Sequence, residues 1–136
     1  MAQGKRSALR AILVSAALLA ACGTAAAANY RYDIKKGQQT KLGMIQTYNV
    51  ATCYSGPIPT YKIVQPAHGK ISIRKISAPF EKTRCKGKIG HGLEMSYRPD
   101  PGFTGRDRGK VTFYYPMHVE TSQKRASAHN FVFDVK

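Results

Sequence analysis

The densest group of basic side chains in this chain lies near its middle, between two predicted strands, and its chemistry is that of anion binding. Lysine and arginine make charge-assisted hydrogen bonds to phosphate and sulfate oxygens. Glycines at 87, 90 and 92 would let backbone N–H groups approach the same ligand. The alternative is a long solvent loop whose charge is only solvated surface. The candidate anion-binding residues are Arg74, Lys75, Lys82, Arg84, Lys86 and Lys88.

A second set of side chains could do acid–base chemistry. His118 and Glu120 are two apart on a predicted strand and would point to the same face. With His129, Arg125 and a nearby tyrosine they could form the acid, base and phosphate clamp of a small secreted ribonuclease. Two polar residues on one strand face are more often its solvent side, and no nucleophile motif accompanies them. We therefore predict no enzymatic activity and keep a ribonuclease-like hydrolase as the alternative.

The same histidines do not predict a metal centre. His118 and His129 have Glu120 as the one obvious third ligand, and this spacing is not diagnostic of zinc. The acidic residues are too scattered for a calcium cage. We expect neither a metal nor a cofactor.

Residues 1–28 have the pattern of a secretory signal peptide. Three basic residues precede an apolar run over 11–21 and an alanine-rich stretch. The run is too short to span a bilayer, so no transmembrane segment is expected in the mature protein. Cleavage after Ala28, which we favour, would release residues 29–136 to the periplasm or the medium. Cleavage before Cys22, at a lipobox-like sequence, would leave a lipidated, envelope-anchored protein.

Cys53 and Cys85 remain as a pair in either product. In an oxidising compartment we expect them to form a disulfide. Closing a loop of about 33 residues would stabilise the fold by roughly 3–4 kcal/mol on the chain-entropy model. A redox-active or metal-binding pair is disfavoured because the two residues lack C-x-x-C spacing.

The net charge restricts the class of partner. The chain has 22 Lys and Arg against 7 Asp and Glu, a formal charge of +15. Such a field attracts polyanions over about a Debye length. Outside the cytoplasm the candidates are lipopolysaccharide, anionic phospholipid, acidic polysaccharide, glycosaminoglycan and stray nucleic acid, and a protein partner at the cell surface stays open. Two smaller basic groups fall in predicted turns: Arg106, Arg108 and Lys110, and Lys124 with Arg125.

Two turn-rich motifs stand beside alternating, strand-like runs. The first is Pro66-Ala67-His68-Gly69, in which proline interrupts a ladder and glycine permits a tight reversal. The second runs over 97–107 and reads Y-R-P-D-P-G-F-T-G-R-D. In it Phe103 offers a ring to the core, and the Asp107 carboxylate can accept bonds from nearby backbone N–H groups in a turn. These features describe a corner of a β-sandwich.

The motifs P-x-H-G and Y-x-P-x-x-x-F-x-G-x-D resemble the bacterial immunoglobulin-like or cadherin-like domains of exported and surface proteins. The likeness extends over residues 61–115. It implies an antiparallel sandwich and a part in adhesion or binding, an argument from fold analogy alone. The chain departs from the family pattern after Asp107, where Arg108, Gly109 and Lys110 precede the aromatic run that begins at Val111.

Hydrophobic alternation predicts an all-β domain with no helix. The predicted strands are 30–34, 41–52, 61–64, 70–76, 90–97, 111–120 and 129–135. The expected inward side chains of the second strand are Leu42, Met44 or Ile45, Tyr48 and Val50, and those of the last are Phe131, Phe133 and Val135. Seven short strands and this length predict one immunoglobulin-like antiparallel β-sandwich domain over residues 29–136.

The combined prediction is an exported, non-enzymatic immunoglobulin-like module of the bacterial periplasm or cell surface. Its expected work is binding or structural, through contact with anionic envelope or host polymers. The physical support is the basic stretch around Cys85, and the adhesion role follows from the family resemblance.

Overall fold

The computed structural model describes residues 27–116 and 124–136 and is an all-β sandwich. One sheet has the strand order β1-β7-β6-β3 and the other β2-β5-β4. Neighbouring strands are antiparallel except β1 and β7, which are parallel. The strands are β1 (Ala28–Ile34), β2 (Thr40–Ile45), β3 (Thr60–Val64), β4 (Gly69–Pro79), β5 (Ile89–Pro99), β6 (Gly105–Pro116) and β7 (Lys124–Val135).

The strand order is that of an immunoglobulin sandwich. The orders β2-β5-β4 and β3-β6-β7 correspond to strands B-E-D and C-F-G of that fold. The difference is β1, which pairs with β7 instead of β2. The predicted fold class is therefore confirmed. No described residue belongs to a helix that is long and apolar enough to cross a membrane.

Both sheets contribute side chains to one core. The inward face expected for the last strand is confirmed, because Phe131, Phe133 and Val135 are all buried. The ring of Tyr97, from β5, stacks on Phe133 with centroids 3.8 Å apart. Because these strands belong to different sheets, the stack packs one sheet against the other.

Strand β2 is shorter than the alternation over 41–52 predicts, since it ends at Ile45. Asn49 accepts hydrogen bonds on Oδ1 from the N–H groups of Ala51, at 2.8 Å, and Thr52, at 3.2 Å. Such local side-chain bonds replace the ladder and turn the chain. Val50, predicted to point inward, is 49% exposed in this connection.

Strand β6 starts earlier than predicted, at Gly105 instead of Val111. Arg106, Arg108 and Lys110 therefore lie on a strand and not in a turn, and Lys124 and Arg125 likewise begin β7. The three basic residues of β6 alternate with the inward positions of Asp107 and Gly109 along the strand.

Residues 108–110, at which the chain departs from the family pattern, thus lie within strand β6. Gly109 occupies one of the inward positions. A Cβ at Gly109 would lie 2.6 Å from Cδ1 of Ile71, so the facing sheet leaves no room for a side chain.

Nearly all of the predicted signal peptide, with Cys22, lies outside the described residues. The predicted cleavage point falls within β1, between Ala28, which pairs with His129, and Asn29, which pairs with Asn130.

Candidate anion-binding site

A disulfide joins two connections at one end of the sandwich, here called the loop end (residues 48–55 and 80–89). Cys53 lies in the β2–β3 connection and Cys85 in the β4–β5 connection, with Cα atoms 5.4 Å apart. Cys85 is fully buried. The predicted pairing is confirmed, and it fixes the middle of the β4–β5 connection to the domain.

Residues 80–88, here called the basic loop, are folded back on themselves. The N–H of Phe80 donates to the carbonyl of Lys88 at 2.9 Å, and the N–H of Gly87 donates to the carbonyl of Phe80 at 2.9 Å. Phe80 is buried and stacks on Tyr48 with centroids 4.1 Å apart. The backbone of the loop therefore has a defined shape, unlike that of an open solvent loop.

Four of the six predicted anion-binding residues lie together on this loop. They are Lys82, Arg84, Lys86 and Lys88, and all four are exposed. Among the residues that the structure describes, none of the four makes an ion pair with a carboxylate. Since Phe80 and Cys85 occupy the interior of the loop, the charged side chains are left on its outer side.

The carboxylates that form ion pairs do so elsewhere. Asp134 binds Arg31 at 2.6 Å and Arg106 at 2.8 Å, and these two hydrogen bonds hold its pKa at about 2. Asp33 accepts a bond from Lys136 at 2.8 Å. Within the described chain, no ion pair therefore compensates the positive charge of the basic loop.

The other two predicted residues lie on β4, outside the basic loop, and line a hollow with Glu81 of that loop. Arg74 lies on β4 and binds Glu94, at 2.5 Å from Nη2 and 2.9 Å from Nε. Lys41 also binds Glu94, at 3.0 Å, and the hydrogen bonds from Lys41 and Arg74 lower the pKa of this carboxyl. Lys75 lines a hollow of about 440 Å³ beside Tyr61. Arg74 is thus paired within the fold and shares Glu94 with Lys41.

The three glycines of this region do not leave backbone N–H groups free for a ligand. A Cβ at Gly90 would lie 2.1 Å from Cζ of Phe80, and one at Gly92 would lie 2.4 Å from the carbonyl oxygen of Ile45. The predicted role is therefore wrong for Gly90 and Gly92, which are buried and serve packing. Gly87 is exposed and has a positive φ of 87°, but its N–H is bonded to the carbonyl of Phe80.

Exposed apolar side chains border the basic loop, a feature that was not predicted from the sequence. Val50 and Tyr54 flank the disulfide on the β2–β3 connection and are 49% and 77% exposed. Ile89, which follows the loop directly, is 66% exposed. The available signal was their position beside Cys53 and Cys85, because the disulfide brings its neighbours in sequence together in space.

The residues of the enzyme alternative are only partly within the described chain. His118 and Glu120 lie outside it. His129 is half-buried, and burial lowers its pKa. It stacks on Tyr30 at 5.6 Å, and its Nε2 lies 3.2 Å from Oγ of Ser127. Within residues 27–116 and 124–136 no group of three His, Cys, Asp or Glu side chains could hold a metal ion.

The two sequence motifs meet at the opposite end of the sandwich, here called the turn end (residues 65–69 and 97–107). Asp107 is 3% exposed, and its carboxylate accepts four hydrogen bonds. The donors are the N–H groups of Ala67 and His68, each at 3.1 Å, the N–H of Arg108 at 3.0 Å and the Tyr97 hydroxyl at 2.9 Å. The predicted bonding of Asp107 to backbone N–H groups is confirmed, although the residue lies on β6.

Aromatic stacking adds to the packing of the turn end. His68 stacks on Phe103 with centroids 4.4 Å apart. Burial raises the pKa of Tyr97, and its bond to Asp107 raises it further. Both motifs are thus accounted for by packing and internal hydrogen bonds, and they hold the β3–β4 turn against β6.

Comparison with known proteins gives little beyond the fold description. No protein-family model and no curated protein matches the chain. Among solved structures it is similar to the solution structure of Amebosin, with a TM-score of 0.41 and 10% identity, over 82% of this chain and 99% of that chain. A likeness at this level carries no argument about function. The resemblance to bacterial immunoglobulin-like and cadherin-like domains stays a prediction.

Proposed function

We propose that this protein is an exported, non-enzymatic binding module whose basic loop contacts a polyanionic component, polymer or lipid, of the envelope or of a host surface. The observation that carries the proposal is the arrangement of Lys82, Arg84, Lys86 and Lys88. All four are exposed on one folded loop, and within the described chain none is neutralised by an ion pair. Export is supported by the signal-like pattern of residues 1–28.

The folded loop favours a binding role because it lowers the entropic cost of association. A loop that must be ordered on binding loses part of its interaction energy to that ordering. Here the Cys53–Cys85 disulfide and the stack of Phe80 on Tyr48 fix the backbone beforehand. Lysine and arginine on such a support can contact successive phosphate or sulfate groups of a polymer.

The test is salt-gradient elution of the oxidised protein from heparin and from a plain cation exchanger of matched charge density. One variant replaces the four loop cations, Lys82, Arg84, Lys86 and Lys88, by serine. The control variant replaces four exposed cations outside the loop by serine: Lys35, Lys36, Lys62 and Lys110. Both variants lose the same formal charge, so they differ only in the position of the cations that were replaced.

We expect the native protein to elute later from heparin than from the exchanger. The loop variant should lose that difference, with the slope of log affinity against log salt reduced by about one unit per lost contact. The control variant should elute earlier from both columns and keep the difference. Equal behaviour of the two variants on heparin would mean diffuse charge and would overturn the proposal.

A further inference from the structure

We infer that the polyanion met by the basic loop is the surface of an anionic lipid layer, into which the neighbouring apolar side chains insert. This inference rests on the proposed function. Six large hydrophobic side chains of the described chain are exposed, and half of them border the basic loop: Val50, Tyr54 and Ile89. The other three are Tyr30, Tyr61 and Val64, on strands β1 and β3 of the four-stranded sheet.

Local contacts fix the backbone that carries these three apolar side chains, beside the basic loop. The carbonyl oxygen of Val50 lies 3.4 Å from Sγ of Cys85, within the basic loop. The carbonyl of Tyr54 accepts a bond from the N–H of Asn49 at 3.0 Å. Ile89 pairs with Pro79 in the last pair of the β4–β5 ladder, next to the basic loop. Both connections therefore present apolar side chains at one end of the sandwich.

Two further contacts join the β2–β3 connection to the β4–β5 hairpin. Ser55, next to Tyr54, accepts on Oγ a bond from the N–H of His91 at 2.8 Å. The hydroxyl of Tyr48 lies 3.3 Å from Oγ1 of Thr83 in the basic loop. These contacts, with the disulfide, tie the apolar and the basic parts into one surface.

This combination fits a lipid surface better than a soluble polysaccharide. A sulfated or carboxylated sugar chain would engage the cations and leave Val50, Tyr54 and Ile89 in water. A lipid layer offers phosphates to the cations and acyl chains to the apolar side chains just beneath them. Tyrosine suits this boundary because its ring is apolar and its hydroxyl stays hydrated.

The distribution of acidic side chains would orient the molecule on such a surface. Asp100 and Asp107 lie at the turn end, and Asp33 and Asp134 face each other across β1 and β7 near it. In the basic loop Glu81 is the one carboxylate. A negatively charged surface therefore attracts the loop end more strongly than the turn end, where these carboxylates offset part of the basic charge.

The first test is sedimentation of the oxidised protein with vesicles of equimolar phosphatidylcholine and phosphatidylglycerol, or of phosphatidylcholine alone. An apolar variant carries Val50→Ser, Tyr54→Ser and Ile89→Ser. A control variant carries Tyr61→Ser and Val64→Ser, which are exposed on β3. We expect the native protein and the control to bind only the anionic vesicles, and the apolar variant to bind them about tenfold more weakly.

Fluorescence gives a second readout, which reports the environment of one side chain in the bound protein. The chain has no tryptophan, so Tyr54→Trp introduces a single reporter at the loop end and Tyr61→Trp a matched one on β3. Insertion predicts a blue-shifted emission of the first reporter on addition of the anionic vesicles. The second reporter should not shift.

The two proposals fail in different ways. If the apolar variant binds anionic vesicles like the native protein, and the reporter at position 54 does not shift, the lipid inference is overturned. Retention on heparin that depends on the loop cations would then identify a soluble polyanion as the partner. If the four-serine loop variant matches the native protein on both heparin and vesicles, the proposed function itself fails.

Discussion

The two ends of the sandwich use polar groups in opposite ways. At the turn end one carboxylate, Asp107, is buried and receives four hydrogen bonds, including one from the hydroxyl of Tyr97. At the loop end the polar groups that dominate are cations, which are exposed and have no carboxylate partner within the described chain. The long strands β4 and β5 run between the two ends and keep them apart.

The comparison separates a structural end from a binding end. Buried polar groups with all their bonds satisfied inside the protein stabilise one fold and leave nothing for a ligand. Cations that remain in solvent contribute little to stability and stay available to a partner. The turn end contains the recognisable motifs, yet the loop end carries the surface from which we propose function. A pattern that is distinctive in sequence is therefore not by itself a functional site.

The largest expected effect is at the turn end. Asp107→Ala would leave the Tyr97 hydroxyl and the N–H groups of Ala67 and His68 without their acceptor, and we expect it to lower the free energy of unfolding by about 3 kcal/mol. Tyr97→Phe removes one of these bonds and should cost about 1 kcal/mol. Urea denaturation measures both. If the folded fraction of Asp107→Ala binds heparin less well than the native protein, the two ends are not separate.

An intermediate effect comes from one substitution made at each end. Alanine at Gly69 would place Cβ 2.5 Å from the ring of Tyr97, and alanine at Gly90 would place it 2.1 Å from the ring of Phe80. Each clash should cost about 2 kcal/mol, because a buried ring must move. Gly90→Ala should also reduce heparin retention, since Phe80 anchors the basic loop. Retention reduced equally by Gly69→Ala would contradict the comparison.

The smallest expected effect is a dependence of stability on acid pH. The pKa of Asp134 is held at about 2, below its usual value, by hydrogen bonds from Arg31 and Arg106. A lowered folded-state pKa contributes stability that is present above the unfolded value of about 4 and is lost as pH falls toward about 2. Thermal melts across this range should show less acid destabilisation in Asp134→Asn than in the native protein. An identical pH profile would mean that these surface pairs do not contribute.

The sequence predicted the architecture well because its signals were local. Alternation identified all seven strands, and the spacing of Phe131, Phe133 and Val135 indicated the correct buried face. Boundaries were wrong where a local bond or a distant contact decided them. Asn49 ends the extended run after β2 through its own side chain, and Gly109 within β6 faces Ile71, which would have to shift for any larger residue.

The candidate site was predicted only in part, because sequence proximity is a poor guide to shared surface. Arg74 and Lys75 are close to the basic loop in sequence, but strand geometry carries them along β4, where Arg74 binds Glu94. Val50 and Tyr54 are remote in sequence and lie beside the loop through the disulfide. The packing role of Gly90 depends on the Phe80 ring, which only the folded loop brings against it.

Four properties of the molecule follow from the sequence alone: an all-β pattern, one cysteine pair beyond the signal-like segment, a strong positive charge and two turn motifs. Alternation, turn residues and formal charge depend on near neighbours in the chain, so they can be read without coordinates. Only the folded chain shows which cations have no carboxylate partner and which apolar side chains are exposed. It also shows that Asp107 is buried and bonded to the Tyr97 hydroxyl. Those outcomes depend on residues that are distant in sequence and adjacent in space.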